Sequence, residues 1–351
     1  MRYQEDTFRS IQMQICLLDP SLQKHDGTPS DNLGDLIIHA AVRRELSSLF
    51  GEREILRIST HTPMATEQVK LASHSSLIFV GGTNLLSSKM NEYRQWKIWM
   101  RQSIYIRRAI LLGVGWWQYQ EAPDLYTRLI LHTALSKRGA LHSVRDEYTR
   151  NKLELIGIRN VINTGCPTMW PLADLAPGDV PTQKAKQALV MLTDYLKEPE
   201  LDRKLLELLL AKYEKVFFWP QGKGDADYVA SLNLDLPMIW LDRSLESLEN
   251  FVDTAGAFDY IGTRLHGGVR CLLSKKRSLI LEVDNRAKEI AADTGLPTVK
   301  RDDFASLEHW IDNPSVTKIS IDLANVEQWR NQFKPKVKDL SVRRYKLSKA
   351  S

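Results

Sequence analysis

Short apolar runs that stop at turn residues alternate with longer segments of 3.6-residue apolar periodicity along most of the chain, and this alternation restricts the fold more than any other feature. Strands that alternate with helices build parallel sheets wrapped by helices. In the first half the strand-like runs are Ile11–Leu18, Glu54–Ile58, Leu77–Val80, Ile110–Val114, Leu141–Val144 and Val161–Asn163. Between them lie helical patterns such as Leu36–Phe50, where Leu36, Ile37, Ala40, Ala41 and Leu46 share one face. The pattern restarts with runs at Ala188–Leu192, Val216–Trp219, Met238–Leu241, Tyr260–Gly262 and Leu279–Val283.

The break between the two series is a stretch punctuated by Pro167, Pro171, Pro177, Gly178 and Pro181, which reads as a linker. With 351 residues the chain is long enough for two cores. The expected architecture is α/β with two Rossmann-like domains facing a cleft: residues 1–180, residues 181–322, and 323–351 as a helix and basic tail. The helix, about Leu323–Phe333, is placed to pack back on the first domain. Ligands of such folds bind at the carboxyl ends of the strands.

Composition excludes several classes. No apolar run reaches the roughly 18 residues of a membrane span, and Met1–Ser10 lacks the apolar stretch and cleavage site of a secretory signal. Cys16, Cys166 and Cys271 are too dispersed for a disulfide framework or a zinc site. A cytoplasmic protein is expected. The net charge of +5 is scattered except for a basic end holding Lys334, Lys336, Lys338, Arg343, Arg344, Lys346 and Lys349. That end reads either as a solvated terminus or as a peripheral contact with an anionic membrane face. Nucleic acid is not expected, because no binding motif accompanies the charge.

Chemistry concentrates where strands run into helices. Phe258-Asp-Tyr-Ile-Gly-Thr-Arg-Leu-His-Gly-Gly-Val-Arg270 breaks at Gly262 and turns helical, which sets Arg264 and His266 at a helix start. Unpaired backbone N–H groups there, with Gly267 and Gly268 allowing close approach, suit a phosphate or carboxylate. Leu279-Ile-Leu-Glu-Val-Asp-Asn-Arg286 repeats the design, with Asp284 as an N-cap and Arg286 at the same edge. Leu141-His-Ser-Val-Arg-Asp-Glu147 does so in the first half, where Arg145 either faces the cleft or pairs with Asp146 or Glu147. Gly34 and Asp35 in Asn32-Leu-Gly-Asp35, and Gly82 and Thr83 after a strand, are candidate substrate-lining turns. Asp225-Ala-Asp227 matches a metal-binding Asp-x-Asp pattern, but no histidine stands at ligand spacing around it, so no metal is expected. Trp116-Trp117 reads as core or as a platform for a sugar ring.

On these motifs in order, namely Asn32-Leu-Gly-Asp35, Leu77-Ile-Phe-Val-Gly-Gly82, Ser143-Val-Arg-Asp146, Ile261-Gly-Thr-Arg-Leu-His266, Val283-Asp-Asn-Arg286, Ala287-Lys-Glu289 and Gly295-Leu-Pro297, the chain resembles the polysaccharide pyruvyl transferases over roughly residues 30 to 300. The resemblance implies two Rossmann-like domains of the kind found in one large class of glycosyltransferases. It also implies phosphoenolpyruvate as donor substrate, a saccharide acceptor that is free or lipid-linked, and no cofactor. Arg264 and His266 are then active-site residues, with Arg145, Arg264 and Arg286 gripping the donor's phosphate and carboxylate; the family commonly has lysine where this chain has Arg286. Two other classes share the architecture: a glycosyltransferase that uses a nucleotide sugar, and a carbohydrate-binding protein without turnover.

Overall fold

The computed structural model describes residues 14–135, 139–233 and 237–334. The basic end beyond Lys334, and with it the membrane-contact reading of that tail, lies outside the described residues, as does the start of the first strand-like run.

Six strands and five helices come first: β1 (Ile15–Asp19), α1 (Leu33–Phe50), β2 (Ile55–Ser59), α2 (Thr66–His74), β3 (Leu77–Gly81), α3 (Met100–Tyr105), β4 (Ala109–Leu112), α4 (Leu125–Ala134), β5 (His142–Val144), α5 (Glu147–Leu155) and β6 (Val161–Asn163). After a short 3-10 segment, Trp170–Asp174, follow β7 (Gln187–Met191), α6 (Pro199–Lys212), β8 (Lys215–Phe218), α7 (Asp225–Ser231), β9 (Met238–Trp240), α8 (Leu245–Thr254), β10 (Asp259–Gly262), α9 (Leu265–Leu273), β11 (Arg277–Glu282), α10 (Asn285–Thr294), β12 (Thr298–Lys300), α11 (Phe304–Asp312) and α12 (Leu323–Asn331). The protein is therefore α/β with parallel sheets.

The first sheet has the order β2-β1-β3-β4. The pair β5-β6 extends it beyond β4 through a parallel bridge between Val114 and Val144. The second sheet has the order β12-β11-β10-β7-β8-β9, all parallel. Counted from β7, this is 3-2-1-4-5-6, the doubly wound order whose ligand crevice opens where the winding reverses, here between β7 and β10. In the first sheet the reversal lies between β1 and β3. Strands covered on both faces need apolar side chains on both, hence the continuous runs Ile15-Cys-Leu-Leu18 and Ala188-Leu-Val-Met191, all buried.

The proline-rich stretch differs from a plain exposed linker. Cys166, Met169, Leu172 and Val180 join the core of the second sheet, together with Leu33 of α1. Trp170 packs with Phe79 and Trp329 on the first. Prolines end the periodicity, and the 3-10 segment turns Trp170 and Leu172 inward while Ala176, Pro177 and Gly178 stay exposed. α12 lies on the first sheet: Trp329 is fully buried and packs edge-on against Phe79 and Phe333. Among the described residues no helix is long and apolar enough to cross a membrane.

Candidate active site

A cavity of about 760 Å³ opens between the carboxyl ends of the two sheets. Ser30, Asp35, His61, Thr83 and Asn84 line it from the first sheet's side, and Asp194, Tyr195, Gly222, Asp227, Arg264 and Arg286 from the second's. The walls are tied together below it. Leu33 donates its N–H to the Gln221 carbonyl, Lys223 to that of Asp31, and Gln221 Nε2 reaches Asn32 Oδ1 at 2.9 Å.

Arg264 stands at the N-cap of α9, held there because β10 ends at Gly262 and Tyr260 donates its hydroxyl to the Arg264 carbonyl. Its guanidinium is not a free cation. Nε donates to Asp225 Oδ2 at 2.9 Å, Nη2 donates to Asp225 Oδ1, and Nη2 also reaches Asp194 Oδ1 at 3.2 Å. Asp225, fully buried, further accepts from the backbone N–H groups of Asp194, Gln221 and Gly222. With its lone pairs spent in this way, Asp225 serves as the hub that fixes Arg264, while Asp227 of the same Asp-x-Asp pattern lines the cavity.

Arg286 is likewise paired, with Asp284, the N-cap of α10, at 2.7 to 3.0 Å, and with the Tyr195 hydroxyl at 2.7 Å. Tyr195 in turn donates to Asp284. Burial opposes ionisation of Asp284, but the Arg286 guanidinium outweighs it and holds the carboxyl below the usual range. Arg145 enters from the first sheet, just after β5. Only 1% exposed, it donates to Asn84 Oδ1 at 2.6 Å and to Asp146 at 3.2 Å, which leaves Nη1 without a partner among the described residues. A buried N–H left unpaired costs on the order of 1–3 kcal/mol, so it marks a place where an acceptor is worth binding.

His266 lies behind the cavity wall, 4% exposed, with Nε2 3.7 Å from the Cys166 sulfur. Burial, then the positive charges of Arg286 and Arg145, push its pKa down to about 3. The resting imidazole is therefore neutral. Asp194 follows β7 with its side chain 34% exposed to the cavity, and burial together with the Asp225 carboxylate raises its pKa although Arg264 opposes this.

Of the residues singled out in the sequence, the structure brings Asp35, Thr83, Arg264 and Arg286 to the cavity and places Arg145 and His266 behind it. The four glycines do not line the cavity as the side chains above do, and each is closely packed where a Cβ would stand. A Cβ at Gly82 would strike the Gly113 carbonyl, and one at Gly34 would come within 2.6 Å of Gln221 Nε2. At Gly267 it would strike Met191, and at Gly268 it would come within 2.5 Å of the Tyr260 ring. They permit close packing of strands and helices. The tryptophan pair splits: Trp116 is core, whereas Trp117 lines the cavity and stacks on Tyr93 with centroids 3.9 Å apart. Sequence reasoning missed Asp194, Tyr195, Asn84 and His61. The signal for the first two was Thr193-Asp-Tyr195 directly after an apolar strand.

The model of the family described as polysaccharide pyruvyl transferase matches residues 32–285, a span that runs from the α1 N-cap to the start of α10 and takes in both sheet edges around the cavity. No curated protein matches the chain. Because that span is well over half of the 351 residues, the chain belongs to the polysaccharide pyruvyl transferase family.

Proposed function

We propose that this protein transfers pyruvate from phosphoenolpyruvate to two hydroxyls of a saccharide, forming a ketal during synthesis of a polysaccharide. One observation carries the reading: a cavity large enough for a donor and a sugar ring opens between the carboxyl ends of the two sheets, with the cations Arg264 and Arg286 on its wall. The donor has a phosphate and a carboxylate, and planar guanidiniums suit both. Arg145 offers an unused N–H, Arg286 a charge at the cavity wall. Arg264, neutralised by Asp225, positions Asp194 and the helix start. The two sheets are read as facing Rossmann-like lobes of the GT-B type, with the acceptor sugar on the Trp117–Tyr93 wall of the first.

In the proposed sequence a hydroxyl attacks C2 of the enol as C3 gains a proton. Asp194, whose pKa is raised by burial and by Asp225, gives that proton, and neutral His266 takes the one from the hydroxyl. Anion binding between Arg145 and Arg286 offsets part of the positive field that disfavours the imidazolium. The C2–O bond to phosphate then breaks. The second hydroxyl attacks and yields its proton to Asp194, while His266 returns its own to the departing phosphate. Two hydroxyl protons thus end on the methyl group and on inorganic phosphate, and both side chains are restored. Positioning and electrostatic stabilisation of the oxocarbenium-like state supply most of the rate.

The test is incubation with phosphoenolpyruvate and a panel of saccharides, scored by mass spectrometry for a pyruvate adduct and by phosphate release. Release of a nucleoside diphosphate from a sugar nucleotide instead would assign the cavity to glycosyl transfer. Saccharide binding with no turnover of either donor would leave a binding protein.

A further inference from the structure

A second cavity, of about 790 Å³, lies away from the first, between α2 and α3. Met64, Val69, Trp99 and Tyr105 give it an apolar lining, and Lys70 and Arg101 stand on it. Around it the surface is unusually apolar: Trp99 is 48% exposed, and Leu71, Ile104 and Tyr105 are comparably open. α4, packed against α3, adds Leu125 and Leu129. Scattered exposed leucines need no explanation, whereas a contiguous aromatic and aliphatic face on neighbouring helices does.

The charge around this face is predominantly positive. Residues 64–74 and 93–108 carry Lys70, Arg94, Lys97, Arg101, Arg107 and Arg108 against a single carboxylate, Glu67. Lys97, Arg101 and Arg107 are exposed and take part in no salt bridge among the described residues. Arg94 lies over the Trp99 ring, 3.5 Å from its centroid, and Arg108 donates to the carbonyls of Ser73 and Ser75. The neighbouring acids are engaged elsewhere: Glu92 with Lys89, and Asp124 in capping α4. Exposed Trp, Tyr and aliphatic residues ringed by Arg and Lys are the composition of a surface that lies in the headgroup region of an anionic bilayer.

One chain segment also joins this face to the active-site cavity. The segment from Thr83 to Trp99 contributes Thr83, Asn84, Tyr93 and Gln95 to the first cavity and ends at Trp99 on the second. We propose that the α2–α3 face docks the protein on an anionic lipid bilayer, seating Trp99 and Tyr105 among the headgroups. The corollary that the acceptor is presented from that membrane on a lipid anchor rests on the pyruvyl-transfer reading, whereas the docking itself does not.

Co-sedimentation of the full chain with vesicles tests it, using phosphatidylcholine alone and phosphatidylcholine with about a quarter phosphatidylglycerol. Binding is expected only to the second kind. Arg101→Glu with Arg107→Glu should weaken it at least about tenfold, and Trp99→Ser with Tyr105→Ser should weaken it with every charge retained. Reversing Lys186 and Lys215, exposed cations of the second sheet, should leave it unchanged. Absence of binding to the anionic vesicles, or equal loss in the Lys186/Lys215 control, overturns the proposal. So does self-association through this face with vesicle binding unaffected by either patch variant. Turnover of an unanchored saccharide should be unchanged in all three variants. If vesicle binding behaves as stated but phosphoenolpyruvate is not consumed, the pyruvyl-transfer reading fails and the docking surface stands.

Discussion

Arg264 and Asp225 form a two-point pair in which the guanidinium Nε and Nη2 each meet one carboxylate oxygen, both side chains being buried. Asp225 also collects three backbone N–H groups, so it fixes the turn after β8 as well as the arginine. Removing one member of a buried pair strands the other charge, at about 3–5 kcal/mol. Asp225→Ala should lower the unfolding free energy by about that amount in denaturant titration. A loss under about 1 kcal/mol would mean that solvent reaches Arg264 freely.

His266 should matter for turnover far more than for folding. His266→Asn is expected to lower kcat by about 100-fold or more, with little change in the neutral-pH unfolding midpoint. The same residue makes the fold acid-sensitive. Its folded pKa of about 3 lies below the ordinary 6.5, so the unfolded chain takes up the proton first and stability falls as pH drops from about 6.5 towards 3. The asparagine variant should show a flatter decline over that window. Parallel curves would place the imidazole in solvent.

In the proposed reaction Asp194 is the acid. Because its pKa is raised by burial and by Asp225, the proton-donating form persists above the usual carboxylate range, and kcat should fall as pH rises through that pKa. Asp194→Asn should cost about 100-fold or more in kcat with the KM for phosphoenolpyruvate near that of the parent. Wild-type kcat in the variant removes Asp194 from the proton path.

Gly115 offers a way to disturb Arg145 without touching it. A Cβ at this position would run into the Arg145 guanidinium, and the backbone there is not left-handed, so Gly115→Ala acts by displacement alone. It should raise the KM for phosphoenolpyruvate at least about tenfold, on the scale of one charge-assisted hydrogen bond. An unchanged KM would show that Arg145 does not hold the donor.

The sheets were legible because strands buried on both faces leave continuous apolar runs, and every described strand of the first eleven coincides with such a run within a few residues. β12 escaped: Thr298-Val-Lys300 is too short and too polar for periodicity to register. The site was legible in outline only. Arg264 reads as a free cation because its partner Asp225 is 39 residues away, at the start of α7. Gly267 and Gly268 also answer a need that sequence does not display, the close approach of Met191 and Tyr260. Asp194 looks like turn chemistry until the second sheet sets it beside Asp225.

The central claim is that guanidiniums from both sheets hold the donor over His266, and titration calorimetry with phosphoenolpyruvate tests it most directly. The parent protein should bind, and Arg145→Ala and Arg286→Ala should each weaken binding at least about tenfold, with the pair weaker still. Equal affinity in the parent and both variants would contradict the account.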